Sequence, residues 1–262
     1  MDALRQRGIQ VDCIVGNSMG ALVGSLYATA PNTSLKTRYR QFFRAYNKRT
    51  GGEAVNRSAA GAALGAGAAL ALGGPIGWLA LLGGVLGAST TEEGSHKRFA
   101  HVLDDFYRHI TIEQAPVPFV TFALQANARG LRRVTLSQGN LARAVLASTS
   151  NPFIFPDLDI RKTQWLDPGT DRFSAVPVQE ACEAFPDSRL LVINVTDEPA
   201  EYAQDLACEV HEVRVPVQFD GPSDEEDEED SSPEQEALTG TGEAFESAYQ
   251  AGYDTVMAQA EL

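Results

Sequence analysis

The sequence predicts an α/β protein of ordinary domain size. Short apolar runs typical of strands alternate along the chain with longer segments whose apolar residues recur at helical spacing, which indicates helices layered on a sheet. The composition is 44% hydrophobic and 21% charged, as in globular chains and unlike disordered or collagen-like ones. The length of 262 residues suits one α/β domain, or at most two small ones.

Each element is predicted from its apolar pattern and from the residues that end it. The first strand is the apolar run at 11–15, which ends at Gly16, and a helix at 21–29 follows it. A basic, aromatic helix is expected at 35–49, and Asn140 is the expected N-cap of a later small-residue helix. In chain order, the elements after residue 92 are a helix at 96–110, strands at 117–125 and 132–137, a helix at 141–148, a strand at 164–166, a helix at 177–184, strands at 190–195 and 210–217, and a helix at 243–260.

The charge of the chain is unevenly distributed. Its 21 basic and 35 acidic residues give a formal net charge of -14. No base follows Arg214 but 14 acids do, whereas residues 1–57 hold nine bases and three acids. We expect the acidic, low-complexity segment 220–240 to be a solvated loop before a C-terminal helix at 241–262. No basic surface accompanies a base-reading motif, so a nucleic acid is not an expected partner.

The cysteines and the N-terminus are the features that bear on the cellular compartment. Cys13, Cys182 and Cys208 lack the spacing of metal ligands and are too few for a disulfide framework, so we predict reduced thiols. The first residues contain no apolar segment of the kind found in secretory signals. These features predict a cytoplasmic protein.

The strongest chemical signal is a G-x-S-x-G motif between the first strand and its helix. It consists of Gly16, Asn17, Ser18, Met19 and Gly20. A serine on such a strand-to-helix turn has a strained backbone and an exposed hydroxyl, and the flanking glycines allow backbones to approach closely. The N–H groups at the start of the helix favour a developing oxyanion. Ser18 is therefore predicted to be a nucleophile, with the other four residues forming its elbow and oxyanion site.

A serine nucleophile needs a base, and the residues leave two arrangements open. Ser18, Asp167 and His211 follow the chain order of an α/β-hydrolase triad. Only 17 residues precede Ser18, however, whereas the nucleophile strand of that fold lies in the middle of the sheet, and His211 is expected to be a surface strand residue. The other histidines are expected on the solvated side of a charged helix, and they are His96, His101 and His109.

Three blocks of the sequence resemble a known family. The nucleophile block of the patatin-like phospholipases is similar to residues 4–28, LRQRGIQVDCIVGNSMGALVGSLYA. The family's serine-glycine segment with an alanine-rich helix and a proline-phenylalanine end resembles residues 136–156, LSQGNLARAVLASTSNPFIFP. Its Asp-Gly-Gly or Asp-Gly-Ala motif resembles residues 165–181, WLDPGTDRFSAVPVQEA. The three blocks occur in the order of the family.

The resemblance implies a three-layer α/β/α fold with a central, mostly parallel sheet, formed by residues 1–57 and 92–219. It implies a dyad in which Ser18 is the nucleophile and Asp167, followed by Gly169 in an Asp-x-Gly motif, takes its proton. The implied activity is hydrolysis of a lipid or phospholipid acyl ester through an acyl-enzyme, without histidine, metal or cofactor. Because a solvated carboxylate is a weak base, Asp167 must be partly desolvated.

The sequence departs from the family pattern in two places. The family's glycine-rich loop, which supplies oxyanion N–H groups, has no counterpart, because Met1 lies inside the equivalent of the helix after that loop. Loss of one oxyanion donor costs about 3 kcal/mol. We expect a start roughly 20 residues upstream; the alternative is a catalytically impaired relative that acts as a membrane-binding or interaction module. Pro168 stands where the family usually has glycine, which removes an N–H beside Asp167.

Residues 58–91 form an apolar insertion that the resemblance does not explain. They include nine glycines and no charged residue, and Gly73-Gly74-Pro75 divides them into two arms of about 14 residues. Each arm is too short to span a bilayer alone, whereas glycines four residues apart let two helices approach closely. We expect peripheral membrane contact through this segment and the basic helix at 35–49. The alternatives are a flexible or buried insertion and a true membrane span.

Overall fold

A computed structural model gives the arrangement of the chain. It describes residues 1–49, 94–127, 130–152, 155, 158, 164–170, 176–195, 199–203, 205–215 and 242–260. The predicted insertion at 58–91 and the predicted acidic loop at 220–240 lie outside these residues.

Helices and strands alternate along the described residues as predicted. In chain order they are α1 (Asp2–Gln6), β1 (Ile14–Gly16), α2 (Met19–Ala28), α3 (Leu35–Arg49), α4 (Ser95–Tyr107), β2 (Phe119–Asn127), β3 (Gly130–Leu136), α5 (Leu141–Thr149), β4 (Trp165–Leu166), α6 (Val178–Ala184), β5 (Arg189–Asn194), β6 (Glu209–Arg214) and α7 (Gly242–Ala258). Two short 3-10 helices lie at Ile112–Gln114 and Pro168–Thr170. The predicted elements are present, and most of their ends shift by one or a few residues.

Local chemistry explains where several elements begin and end. Asn140 caps α5 as predicted, since its side-chain oxygen accepts a hydrogen bond from the Arg143 amide at 2.8 Å. Helix α4 ends earlier than expected, because Arg108 takes a left-handed conformation with φ 47°. Strand β1 begins later than expected, because only Ile14–Gly16 pairs with β2.

Four strands form one sheet in which β2 is central. β1 runs parallel to β2 and ends with Gly16 opposite Thr121, while β3 pairs antiparallel along the other edge of β2. β4 shares the edge of β2 with β1 but runs antiparallel, so that it ends with Leu166 opposite Leu124. The two strands therefore run toward each other along one edge, with a gap of about 10 Å between their ends. The residues that follow Gly16 and Leu166 enter this gap.

A second sheet consists of β5 and β6, which are parallel and in register from Arg189 opposite Glu209 to Asn194 opposite Arg214. The α/β class predicted from the sequence is confirmed by this mixture of helices and partly parallel sheets. Parallel and antiparallel strand pairs are equally frequent among the described strands, because two of the partners of β2 are antiparallel to it. The three-layer arrangement stays a prediction.

The core that supports the site includes the first sheet and helices α2 to α5. Gly24 brings α2 close to β1, since a Cβ at Gly24 would lie 2.8 Å from Cγ2 of Ile14. Aromatic rings fill the contact between α3 and α4, where Phe42 meets Phe99 and Phe106 edge-on with ring centroids 5.8 and 5.4 Å apart. This packing fixes α2, and with it the position of the motif serine at its start.

The C-terminal helix α7 packs on the basic helix α3 and on α1. Glu246 forms ion pairs with Lys36 and Arg40. Arg7 donates hydrogen bonds of 3.0 and 2.6 Å to two carbonyl oxygens at the end of α7. Arg49 pairs with an aspartate of α4. Several basic side chains expected to face a membrane thus have partners within the chain. None of the helices in the described ranges is long and apolar enough to cross a bilayer.

The structure corrects the prediction that all three thiols are reduced. Cys182 on α6 and Cys208 just before β6 form a disulfide, with Cα atoms 5.5 Å apart, whereas Cys13 is free. The prediction was wrong because the two cysteines are 26 residues apart in sequence and only the pairing of β5 with β6 brings them together. Cysteine usage therefore no longer supports a cytoplasmic compartment.

Candidate active site

Ser18 lies at the tight turn between β1 and α2. It is the N-cap of α2 and has φ 52° and ψ -124°, a backbone conformation that is costly for a residue with a side chain. Gly16 makes the turn possible, because a Cβ at Gly16 would lie 2.4 Å from the carbonyl oxygen of Gly20. Ser18 is only half-buried. A strained serine next to a close backbone contact is the arrangement that the motif predicts.

Asp167 reaches the same site from the opposite direction. It follows β4, whose end faces the end of β1 along β2, and its exposed fraction is 0%. The Ser18 side chain lies close enough to the Asp167 carboxylate to lower the pKa of Asp167. The head-on approach of two strands therefore brings together two side chains that are far apart in sequence.

The buried position of Asp167 changes its basicity. Burial raises the pKa of Asp167 to about 6, although the nearby Ser18 side chain, the hydrogen bond from the Gly169 amide and the nearby Asn151 side chain favour the ionised form. A carboxyl group with this pKa is mostly ionised at neutral pH and is a stronger base than a solvated aspartate. Asp167 is thus desolvated in the way that a proton-accepting role requires.

Gly169 supplies the backbone amide that holds Asp167. Its N–H donates to Oδ1 of Asp167 at 2.8 Å, which closes an Asx turn. The donor is two residues after Asp167, so this bond does not need the N–H that Pro168 lacks. Pro168 is the first residue of the short helix Pro168–Thr170, a position that favours proline. A Cβ at Gly169 would lie 3.2 Å from the same carboxylate oxygen. The glycine therefore leaves room for the carboxylate.

The end of α5 holds both Ser18 and Asp167. The Ser148 hydroxyl accepts a hydrogen bond from the Ser18 amide at 3.0 Å, and the Ser150 carbonyl accepts one from the Asp167 amide at 2.9 Å. The Asn151 side chain lies near the carboxylate and lowers the pKa of Asp167. All three supporting residues are buried. Sequence reasoning assigned them no role. The sequence does contain a polar Ser-Thr-Ser-Asn run at the end of a small-residue helix, which could have indicated a buried polar site. A solvated turn would explain the same run equally well.

The start of α2 presents two backbone amides beside Ser18. In the described part of the chain, the first amide of α2 that reaches a carbonyl is that of Ala21, which contacts the carbonyls of Asn17 and Ser18. The amides of Met19 and Gly20 are thus donors at the positive end of the helix dipole. Asn17 is 7% exposed, and neither polar atom of its side chain has a hydrogen-bond partner among the described residues.

The histidines occupy different settings. His211 lies on β6 in the second sheet, and its Nε2 is buried without a hydrogen-bond partner in the described ranges. His109 is exposed, and His101 contacts an exposed arginine of α3, as expected for surface residues. His96 is half-buried and not simply solvated, since its Nε2 lies 2.9 Å from Oγ of Ser150. Helical spacing alone did not reveal that this part of α4 faces the end of α5.

The site offers a reachable hydroxyl, a buried carboxylate and two backbone amides. Within the described ranges, no group of three or more His, Cys, Asp or Glu side chains is arranged to bind a metal ion. A hydroxyl with an adjacent base can attack an electrophilic carbon, and amides at a helix start can stabilise the oxyanion that forms. The arrangement is therefore suited to acyl transfer.

The glycine contact in the turn leads to a prediction about stability. Gly16→Ala should lower the free energy of unfolding by about 1–3 kcal/mol, because the new Cβ would overlap the carbonyl of Gly20. Gly20→Ala is the matched control: nothing lies within 4 Å of its Cβ position, and alanine is favoured over glycine in a helix by about 1 kcal/mol. Urea unfolding followed by circular dichroism measures both. Equal midpoints for the two variants would contradict the prediction.

Comparison with known proteins gives one family match. A family model described as patatin-like phospholipase matches residues 1–181. This range covers more than half of the chain and contains Ser18, Asp167 and the buried polar run after α5. Among curated proteins, no match to the chain is found.

Proposed function

The chain belongs to the patatin-like phospholipase family, and from this premise we propose that it is a serine lipid acyl hydrolase in which Ser18 and Asp167 form the catalytic dyad. Hydrolysis of lipid acyl esters is the general activity that the family indicates; the dyad and the acyl-enzyme are our proposal. The observation that carries it is the approach of the Ser18 side chain to the buried carboxylate of Asp167, where it lowers the pKa of Asp167 against the effect of burial.

The proposed first step transfers the acyl group to the enzyme. The Ser18 oxygen attacks the ester carbonyl carbon while Asp167 accepts the hydroxyl proton. The bond between the carbonyl carbon and the leaving alcohol then breaks, and the alcohol oxygen takes the proton from Asp167. The acyl group remains on Ser18 as an ester. A pKa of about 6 suits Asp167 to both halves of this step, because the group can accept and return a proton near neutral pH.

The proposed second step releases the fatty acid. Asp167 accepts a proton from a water molecule whose oxygen attacks the acyl carbon. The bond to the Ser18 oxygen breaks, and Ser18 regains its proton from Asp167. In both steps we assign stabilisation of the oxyanion to the amides of Met19 and Gly20, where one such donor contributes about 3 kcal/mol. The hydrogen bond from the Ser18 amide to Ser148 supports this geometry by fixing the turn.

The proposal is tested with lipid substrates and the full chain. The purified protein is incubated with phosphatidylcholine vesicles, phosphatidylglycerol vesicles, a triacylglycerol emulsion and the soluble ester p-nitrophenyl butyrate, and released acid is measured by mass spectrometry. We expect acid release from at least one of the lipids. A folded protein that hydrolyses none of the four esters would contradict the proposal.

The histidine of the second sheet separates the dyad from a conventional triad. We expect His211→Ala to keep the wild-type rate of ester hydrolysis, because the dyad assigns proton transfer to Asp167. A Ser-His-Asp triad would instead lose about a thousandfold or more. Initial rates with p-nitrophenyl butyrate measure the difference. A loss of that size, in a variant that unfolds at the wild-type temperature, would favour the triad.

We also propose that the protein meets its substrate by peripheral contact of segment 58–91 with a membrane. The support is the sequence of this segment, which has no charged residue and places small residues four apart. Helix α3 contributes less than its sequence indicates, because Lys36 and Arg40 pair with Glu246.

Deletion of residues 61–87 should abolish flotation of the protein with liposomes, since the deletion removes most of the uncharged segment. The comparison variant is Arg44→Glu/Lys48→Glu, which reverses two exposed charges of α3 and should weaken flotation only on anionic vesicles. Flotation through sucrose with neutral and anionic vesicles measures both effects. Unchanged flotation of the deletion variant would refute membrane contact through this segment.

A further inference from the structure

His96 contacts a hydroxyl that belongs to the supporting residues of the site. Its Nε2 lies 2.9 Å from Oγ of Ser150, and the same Oγ lies 2.6 Å from the carbonyl oxygen of Leu146, to which it donates. A hydroxyl group has one hydrogen. Because that hydrogen is used toward Leu146, Ser150 accepts from His96, and Nε2 of His96 carries the hydrogen.

Ser150 is the central residue of a tight turn. Its φ of -73° and ψ of 76°, with a 2.8 Å hydrogen bond from the Asn151 amide to the Thr149 carbonyl, are those of an inverse γ-turn. This turn directs the Ser150 carbonyl to the amide of Asp167 at 2.9 Å. The side chain of the next residue, Asn151, lies near enough to lower the pKa of the carboxylate. The turn thus supplies the hydrogen bond that holds the backbone of Asp167.

The imidazole ring of His96 is itself held in place. It meets the ring of Phe155 nearly edge-on, with centroids 5.1 Å apart. Phe155 is fully buried, packs against Phe99 of α4, and donates its amide to the Asn151 carbonyl at 2.8 Å. The ring, the turn and the aromatic contact therefore form one packed unit beside Asp167.

We propose that His96 is a positioning residue for Asp167, which holds Ser150 by an Nε2–H hydrogen bond and thereby fixes the turn that orients the carboxylate toward Ser18. This inference rests on the proposed dyad. His96 acts through Ser150 and has no part in binding substrate. Loss of its hydrogen bond loosens the turn, moves the carboxylate relative to the hydroxyl, and lowers kcat while KM stays unchanged.

The test compares two substitutions of His96. His96→Phe keeps a ring against Phe155 and removes the Nε2 donor, whereas His96→Gln keeps an amide donor of similar reach. With p-nitrophenyl butyrate, we expect His96→Phe to lower kcat by about 10- to 100-fold, the cost of a displacement of about 1 Å, at unchanged KM. We expect His96→Gln to recover most of the loss. His101→Phe, a substitution on the same helix, should keep the wild-type kcat.

A double variant tests whether His96 acts through Ser150. Ser150→Ala removes the acceptor of the hydrogen bond from His96. The double variant His96→Phe/Ser150→Ala should therefore have the kcat of the slower single variant. The midpoint temperature of its thermal unfolding should likewise equal that of the less stable single variant. The unfolding measurement needs no turnover. Additive losses in both measurements, or equal kcat values for His96→Phe and His96→Gln, would overturn the inference.

The result also separates this inference from the proposed function. If Ser18→Ala abolishes turnover but His96→Phe keeps the wild-type kcat, the dyad stands and the role of His96 is refuted. If the wild-type protein shows no turnover that depends on Ser18, the proposed function fails and the positioning role fails with it.

Discussion

Replacing Ser18 with alanine should reduce ester hydrolysis by about a thousandfold or more, since removal of a serine nucleophile leaves only the rate due to binding and oxyanion donors. The variant should fold, because alanine keeps the backbone amide that donates to Ser148. Two measurements check the prediction: the initial rate with p-nitrophenyl butyrate, and covalent labelling by a fluorescent serine-directed phosphonate. The wild-type protein should be labelled, and the variant should not.

A matched variant makes the Ser18 result specific. Ser188 lies before β5, and its hydroxyl donates to the Phe185 carbonyl at 2.6 Å. Ser188→Ala removes a serine hydroxyl that is distant in sequence from the proposed dyad. This variant should keep both turnover and labelling at the wild-type level. Labelling that persists in Ser18→Ala at the wild-type level would show that another residue is the nucleophile.

Asp167→Asn should reduce hydrolysis by about 100- to 10,000-fold, because an amide cannot accept the proton that the carboxylate takes from Ser18. The wild-type rate should depend on the ionised form of Asp167. Since the pKa of this residue is raised to about 6, kcat/KM should fall as the pH decreases through about 6. Initial rates between pH 4.5 and 8.5 measure the profile. A rate that stays constant down to pH 4.5 would contradict the assignment.

The same substitution should stabilise the fold at neutral pH. The pKa of Asp167 rises from 3.8 to about 6 in the folded protein, so the folded state binds this proton more tightly than the unfolded chain does. The stability that the protonated form contributes is complete below about pH 4 and is lost as the pH rises through about 6. Asparagine remains neutral at both pH values. The free energy of unfolding of Asp167→Asn should therefore exceed that of the wild type by roughly 3 kcal/mol at pH 8 and equal it at pH 4.

A surface aspartate provides the control for both effects. Asp254 is exposed on α7, where it accepts a hydrogen bond from Gln250 at 2.8 Å. Asp254→Asn makes the same chemical change and should alter neither turnover nor the difference in stability between pH 4 and pH 8. Urea unfolding at the two pH values measures the stabilities. An Asp167→Asn variant that is less stable than the wild type at pH 8 would contradict the burial of an ionised carboxylate.

Local signals made much of the fold predictable from the sequence. Helix α3 has the predicted ends, and Asn140 caps α5, because periodicity and capping depend on neighbouring residues. The G-x-S-x-G pattern placed Ser18 between a strand and a helix for the same reason. Asp167 is different, because only the resemblance to a family distinguishes it from an ordinary turn aspartate before a proline.

Long-range pairing determines what the sequence did not reveal. The contact between Ser18 and Asp167 depends on β1 and β4 both pairing with β2, and β4 contributes only two residues to that pairing. Ser148 contacts Ser18, and His96 contacts Ser150, because α5 and α4 pack beside the gap between β1 and β4. The local sequence pattern does not predict this packing. The disulfide was missed for the same reason. In each case the partner residues are distant in sequence, so their individual patterns are those of ordinary turns and helices.

The pH dependence of Ser18 modification is the most direct test of the dyad. The rate at which a phosphonate modifies Ser18, located by mass spectrometry, measures activation of the hydroxyl apart from lipid binding and product release. We predict that this rate rises with pH with a midpoint near 6 in the wild-type protein. In Asp167→Asn it should be slow and independent of pH over the same range. Equal rates with the same pH profile in the two proteins would contradict the assignment of Asp167 as the base.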